Sequence, residues 1–143
     1  MINSLSADVL AQVLDGLPVR IFWKDRESRY LGCNKQFAVD AGVDDPVELI
    51  GKSDYYFYPP EQAKAFRDDD ADVMWKGEPK VGIVEELTLT DGKTIVLETN
   101  KYPLRDQTGK VIGIIGTYQD ITARQEQNAE RCRACLSELL LAT

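Results

Sequence analysis

The sequence predicts an α+β fold: antiparallel strands covered on one face by short helices. Three observations carry that reading. Residues 19–33 hold two β-rich runs separated by a polar turn. Residues 81–119 hold three more, separated by a tight Asp-Gly turn and a glycine-containing loop. Between these groups, from Asn34 to Lys76, the chain carries helix caps and stops and no good strand.

Each element follows from local chemistry. Ile2, Leu5, Val9, Val13 and Leu17 recur at steps of three or four, which is one face of an amphipathic helix. Ser4 or Ser6 caps its start, and Gly16 with Pro18 ends it. The apolar stripe must pack on this domain or on a second copy. VRIFWKD (19–25) is β-branched and aromatic, Asp25 to Ser28 is a polar turn, and Arg29 to Cys33 returns as the second strand of a hairpin. Lys35 to Ala41 is a short helix capped by Asn34 and stopped by Gly42. Another turn of helix starts at Pro46 and ends by Gly51. Pro60, followed by Glu61, opens a helix that runs to about Lys76. Val81 to Thr90, Thr94 to Tyr102 and Val111 to Gln119 are the three later strands. Gly113 and Gly116 lack side chains, so a neighbour is expected to approach the last strand closely.

The totals bound the function. A chain of 143 residues with net charge −7 is expected to repel a phosphate backbone, so no nucleic-acid partner is anticipated. No apolar run approaches the ~20 residues that span a bilayer, and MINSLSADVL lacks the basic start of a signal peptide. A cytoplasmic protein with no membrane contact in this chain is expected. Histidine is absent, which removes histidine triads, imidazole-held metals and a histidine phosphoacceptor. The three cysteines, Cys33, Cys132 and Cys135, fit a reducing compartment and not a disulfide framework.

Three segments carry a family resemblance: FWKDRESRYLGCNKQF (22–37), GKSDYYFYPPEQA (51–63) and TNKYPLRDQTGKVIGIIGTYQDIT (99–122). In this order, across residues 15–124, they resemble the PAS domain family. The resemblance implies a PAS-like five-stranded antiparallel sheet with short helices packed on one face, plus flanking N- and C-terminal helices. It divides the chain into an N-terminal helix (1–17), a PAS core (18–120) and a C-terminal signalling or linker helix (121–143). Ser28 departs from the pattern, standing where many members carry glycine. Serine tolerates positive φ less readily.

The join at GTYQDITARQ (116–125) is where a strand hands over to a helix. Thr122 and Gln125 fit a Thr-x-x-Gln capping box, and Asp120 is an alternative cap suited to the positive helix end. Asp120, Ile121, Thr122 and Gln125 are therefore the expected signal-relay residues. Ile121, Gln125, Asn128, Cys132, Cys135, Leu139 and Ala142 trace a heptad-like seam with a polar middle. The alternatives are a coiled coil with a second copy or a helix lying back on its own domain. LSELLLAT shows no helix stop, so further sequence is expected beyond it.

The resemblance implies a pocket between sheet and helices. Trp23, Tyr55, Tyr56, Phe66, Thr99, Asn100 and Thr117 are its candidate lining, an apolar wall with a few polar handles. The alternative is an ordinary filled core. Flavin-binding relatives carry Asn-Cys-Arg-Phe on a helix, whereas here Cys33-Asn34-Lys35-Gln36-Phe37 ends a strand, so neither flavin nor haem is expected and Cys33 reads as a structural thiol. Cys132-Arg133-Ala134-Cys135 has redox spacing but no partner pair, and reads as small residues on the helix seam. Arg67 to Asp72 lacks the glycine turn of a calcium loop and reads as a solvated acidic helix face. No catalytic motif and no metal site emerge. The expected function is a sensory module of a signal-transduction protein, such as a sensor histidine kinase or diguanylate cyclase. It would bind a small ligand or a partner and relay the signal through the C-terminal helix into a downstream output domain. It would form a homodimer through the flanking helices. The alternative is a ligand-free dimerisation module.

Overall fold

Period-2 alternation of inward and outward side chains builds the sheet. The computed structural model describes residues 6–89 and 91–142. Its strands are β1 (Arg20–Asp25), β2 (Tyr30–Cys33), β3 (Lys80–Thr88), β4 (Thr94–Arg105) and β5 (Val111–Asp120). They form one five-stranded sheet in the order β2-β1-β5-β4-β3. Every neighbouring pair is antiparallel. The central position of β5 puts the last strand between the first and fourth, so both hairpins report to it.

The helices are α1 (Ala7–Gly16), α2 (Lys35–Ala41), α3 (Asp54–Phe57), α4 (Pro60–Lys76) and α5 (Thr122–Ala142), with a 3₁₀ turn at Pro46–Leu49. Ser6 caps α1 by accepting the Val9 amide; Ile2, Ser4 and Leu5 lie outside the described residues. Asn34 caps α2, and Gly42 stops it at φ 76°. The Asn34 side chain does more than cap. Its Oδ1 accepts from the Ile21 and Phe37 amides, and its Nδ2 donates to the Leu14 and Val19 carbonyls. One buried amide thus fixes α1, β1 and α2 together.

Three details differ from the sequence reading. The aromatic stretch before the two prolines forms α3, which was not expected. β3 ends at Thr88, and Thr90 lies outside the described residues. β4 runs on through Pro103 to Arg105. Proline is tolerated there because β3 pairing stops at Lys101, so the position lacking an N–H has no neighbour on that side.

The core lies between the sheet and α2–α4. Phe22, Tyr30, Leu87, Ile95, Leu97 and Tyr118 from the strands meet Phe37, Leu49, Tyr58, Ala63 and Phe66 from the helical side. Each such large side chain contributes about 1.5–3 kcal/mol by leaving water. Gly116 is part of this packing. It pairs with Phe22 across β1 and β5, and a Cβ at Gly116 would sit 2.1 Å from the Phe22 ring. Replacing Gly116 by Ala should therefore displace Phe22 and lower stability by roughly 1–3 kcal/mol. Urea unfolding monitored by circular dichroism checks this, and an unchanged midpoint would contradict the close contact.

Candidate functional site

Strand alternation sends two lysines into the core. Lys24 of β1 lies on the same inner face as Phe22, and Lys101 of β4 on the same face as Leu97 and Thr99. Both lysines are 1% exposed. A bare ammonium there would be very costly, so each must find anions. Lys24 Nζ donates to Asp54 Oδ2 at 2.6 Å and to Asp70 Oδ2 at 2.7 Å. Lys101 Nζ pairs with Asp70 Oδ1 at 2.9 Å and donates to the Phe66 carbonyl at 3.1 Å. Asp70 therefore bridges two ammoniums. The Ser28 hydroxyl reaches Asp70 Oδ2 at 3.2 Å, and the Tyr30 hydroxyl donates to Asp54 Oδ1.

Titration follows from this geometry. Burial alone would push the Asp70 carboxyl up, but Lys24 and Lys101 outweigh it and hold the carboxyl below its usual range. Burial opposes the charge on Lys24 likewise, yet Asp70 and Asp54 raise it. Burial drives the Tyr30 and Tyr118 phenols well above their ordinary range. Burial pushes the Cys33 thiol up to about 12.

Ser28 adopts φ 59°, the left-handed conformation that a glycine would take more easily. The hydrogen bond from its hydroxyl to Asp70 is what a glycine would not supply.

These residues enclose a cavity between the sheet and α2–α4. It is lined by Phe22, Lys24, Tyr30, Phe37, Asp54, Tyr58, Phe66, Glu85, Leu87, Leu97, Thr99, Lys101 and Tyr118. Its volume is ≈ 30 Å³, which exceeds what one water molecule requires. Burial raises the Glu85 carboxyl. The buried Thr99 hydroxyl, on the neighbouring strand, partly offsets this by favouring the charged Glu85 carboxylate.

Of the seven candidate pocket residues, Phe66 and Thr99 line this cavity. Trp23, Asn100 and Thr117 fall at alternate strand positions on the opposite face. The Trp23 indole lies over Gly32, where a Cβ would meet it at 2.4 Å. Asn100 accepts from the Gly82 amide and donates to Thr117 Oγ1. Tyr55 and Tyr56 are exposed, because helical spacing in α3 turns Asp54 and Tyr58 inward instead. The solvated acidic face needs a correction too. Asp68, Asp69 and Asp72 pair with surface lysines, but Asp70 is fully buried. Ala63, Phe66, Asp70 and Val73 recur at steps of three and four on the buried face of α4, a signal present in the sequence.

The relay segment is clasped to β4. The Ile121 amide donates to the Val96 carbonyl at 2.8 Å, and the Val96 amide donates to Thr122 Oγ1 at 2.9 Å. The Thr122 hydroxyl is thus occupied by the sheet, which replaces the expected Thr122–Gln125 box. Gln125 bonds through its backbone amide to the Ile121 carbonyl. Asp120 Oδ1 accepts the Thr122 amide. Arg124 pairs with Glu98 at 2.9 Å, and from Arg124 to Leu141 every residue of α5 is exposed, so the helix does not lie back on the domain. Among the described residues no helix is long and apolar enough to cross a membrane, and no cluster of three or more His, Cys, Asp or Glu residues could hold a metal ion.

A family profile described as a PAS fold matches residues 14–126. The methanogenesis regulatory histidine kinase FilI of Methanothrix harundinacea is 37% identical over 114 residues, 77% of this chain and 12% of that protein. The aerobic respiration control sensor ArcB of Escherichia coli is 27% identical over 81% of this chain and 15% of its own length. A diguanylate cyclase of Vibrio cholerae is 31% identical over 77% of this chain and 34% of its own. The chain thus spans a small part of these relatives. Among solved structures, the VqmA–ligand–DNA complex from Vibrio cholerae superposes with TM-score 0.75 at 26% identity, covering 84% of this chain and 53% of that one. The PAS domain of Bordetella pertussis BvgS superposes with TM-score 0.68 at 27% identity, covering 91% and 96%.

The VqmA match overturns the exclusion of nucleic acid. That exclusion rested on the net charge of this chain, whereas VqmA, a DNA-binding receptor, extends well beyond the matched unit. The charge of one unit does not fix what the rest of a longer protein touches.

Asp70→Asn at neutral pH should remove the carboxylate that pairs directly with both Lys24 and Lys101 and cost about 3–5 kcal/mol in urea unfolding. Asp70 is held low in the folded state, so its contribution is present above the unfolded value of about 4 and is lost as pH falls below it. The wild type should therefore lose stability on acidification from pH 5 to pH 3 more steeply than the variant; parallel slopes would contradict the assignment. Iodoacetamide at pH 8 should alkylate exposed Cys132 and Cys135 and spare buried Cys33, giving two adducts by intact mass.

Proposed function

Because this chain belongs to the PAS family, we propose that it is the sensory module of a signal-transduction protein. A small ligand enters the cavity between sheet and helices, and α5 carries the response to an output unit. The observation that carries this reading lies in β4. Leu97, Thr99 and Lys101 line the cavity, and Val96, next in the same strand, grips Ile121 and Thr122 at the start of α5. A displacement of the inner face of β4 therefore acts on the helix through two hydrogen bonds, without an intervening loop.

The output unit is of a kind that similar proteins carry: a histidine kinase, a diguanylate cyclase or a LuxR-type DNA-binding receptor. The chain pairs with a second copy. Val9, Leu10, Val13 and Leu17 on α1 are exposed, as are Leu136, Leu139, Leu140 and Leu141 near the end of α5, and a self-complementary contact would cover them. The small volume of the cavity favours a second reading, in which the core is filled and the module serves dimerisation alone.

Thr122→Val keeps the shape of the side chain and removes the acceptor of the Val96 amide. In the full-length protein, a metabolite that stabilises the module in a thermal-shift screen should still do so in this variant, while output no longer responds to it. A response equal to wild type would contradict the relay. Native mass spectrometry that finds no retained ligand, together with a screen in which no compound stabilises the module, would favour the dimerisation reading.

A further inference from the structure

α5 stands clear of its own domain: from Arg124 to Leu141 every residue is exposed. Gln125, Asn128, Cys132, Cys135 and Leu139 recur at alternating steps of three and four and share one stripe of the helix. Arg124, Glu126, Glu130, Arg131, Arg133 and Glu138 all lie off that stripe. An uncharged seam on a solvent-exposed helix suits contact with another helix. Its later part is apolar: Leu139 is 65% exposed and Leu136, beside it, 60%. Cys132 and Cys135 are both exposed and occupy neighbouring layers of the seam.

The composition of the seam argues for a second copy of α5 as its cover. Two amides occupy the first layers, two thiols the middle and a leucine the layer beyond. A second copy running parallel and in register sets each layer against its own kind: amide on amide, thiol on thiol, leucine on leucine. Polar layers of this sort specify register. A slip by one heptad sets both amides against thiols, which behave as small apolar groups, and leaves them without partners. An antiparallel pair that brings Cys132 to Cys135 sets Asn128 against Leu139 and loses the same match. With two amides in the seam the contact is weak and opens readily, so the thiols of the reduced protein stay open to reagents.

We propose that α5 pairs with a second copy in parallel register, and that Cys132 or Cys135 joins its own equivalent across the two-fold axis as a disulfide under oxidation. This rests on the pairing of two copies proposed above and specifies where, and in which orientation, they meet. The oxidant is a low-molecular-weight disulfide such as oxidised glutathione. One protein thiolate attacks it, forms a mixed disulfide and releases one glutathione. The equivalent thiolate of the second copy attacks the protein sulfur of that mixed disulfide, forms the S–S bond between the copies and releases the second glutathione. Two protein thiols are oxidised, one glutathione disulfide is reduced to two thiols, and the protons of the protein thiols pass to them. The bond fixes the spacing of the two helices, so the redox state of the medium acts on the same helix that carries the relay.

Treatment of the chain with oxidised glutathione, read on a non-reducing gel and by intact mass, tests it. Wild type should give a covalent dimer that dithiothreitol reverses. At least one of the single variants Cys132→Ser and Cys135→Ser should do the same, because each keeps a thiol that meets its own equivalent. The double variant, which keeps only buried Cys33, should not. Ser137→Cys in that double variant puts a thiol on the far face of α5, and it should cross-link about tenfold more slowly or worse, since only a facing pair has a high effective concentration. A dimer from wild type but from neither single variant would mean that Cys132 meets Cys135, and would overturn the parallel register. A Ser137→Cys rate equal to wild type, or a dimer through Cys33, would mean random collision and would overturn the seam. Glutathione adducts or a Cys132–Cys135 bridge within one chain, with no covalent dimer, would overturn it too. Sedimentation of the reduced chain then separates the two claims: a dimer would leave the pairing of copies standing, and a monomer would overturn both.

Discussion

Asp70 sits between two buried ammoniums, and the arrangement of the domain depends on that placement. It comes from α4, while Lys24 comes from β1 and Lys101 from β4. One carboxylate therefore ties the helical layer to both halves of the sheet. Asp54 adds α3, and Ser28 adds the β1–β2 turn. A set of buried ion pairs is weak support for stability in itself, since apolar residues could fill the same space. Its effect here is on registry. The charges match only when α3, α4 and both strands stand in one relation.

That constraint gives the cavity its character. Hydrophobic packing alone would place a greasy void between sheet and helices. The ion cluster makes one wall polar, with Lys24, Lys101, Asp54 and Asp70 committed to one another. A second polar bridge runs beside it. The Tyr118 hydroxyl donates to Asp40 Oδ2 at 2.6 Å, and Arg20 donates to the same oxygen at 3.0 Å. Tyr118 lines the cavity from β5, and Asp120 follows two residues later at the foot of α5. Both β4 and β5 thus run from the cavity to the relay segment.

The sequence was informative where chemistry is local. The Asn34 cap, the Gly42 stop, Pro60 at the start of α4 and the succession of elements along the chain follow from turn and cap residues, and the three motif segments point to the family. The cavity was less legible because it depends on which face of each element turns inward. Trp23, Asn100 and Thr117 were a single strand position from the inner face, and one position reverses the side chain. Tyr55 and Tyr56 are aromatic in type, yet the spacing of α3 buries their neighbours Asp54 and Tyr58. Asp70 was hidden inside an acidic run whose other members are solvated, although the 63-66-70-73 stripe marks it. Lys24 and Lys101 sit in the inward phase of otherwise apolar strands, and a charge in that phase signals a buried partner elsewhere. The positive φ of Ser28 has no local signal, because the hydroxyl that compensates for it reaches a helix far along the chain.

Native-state amide hydrogen exchange tests whether cavity wall and relay helix are one body. If β4 joins them rigidly, the Val96, Thr99, Lys101 and Ile121 amides open with a common free energy, and Lys101→Met lowers protection at all four together. Fast exchange at Ile121 beside strong protection at Thr99, or a Lys101→Met effect that stops short of Val96, would show that the helix is mechanically separate from the cavity and that the ion cluster does not govern it.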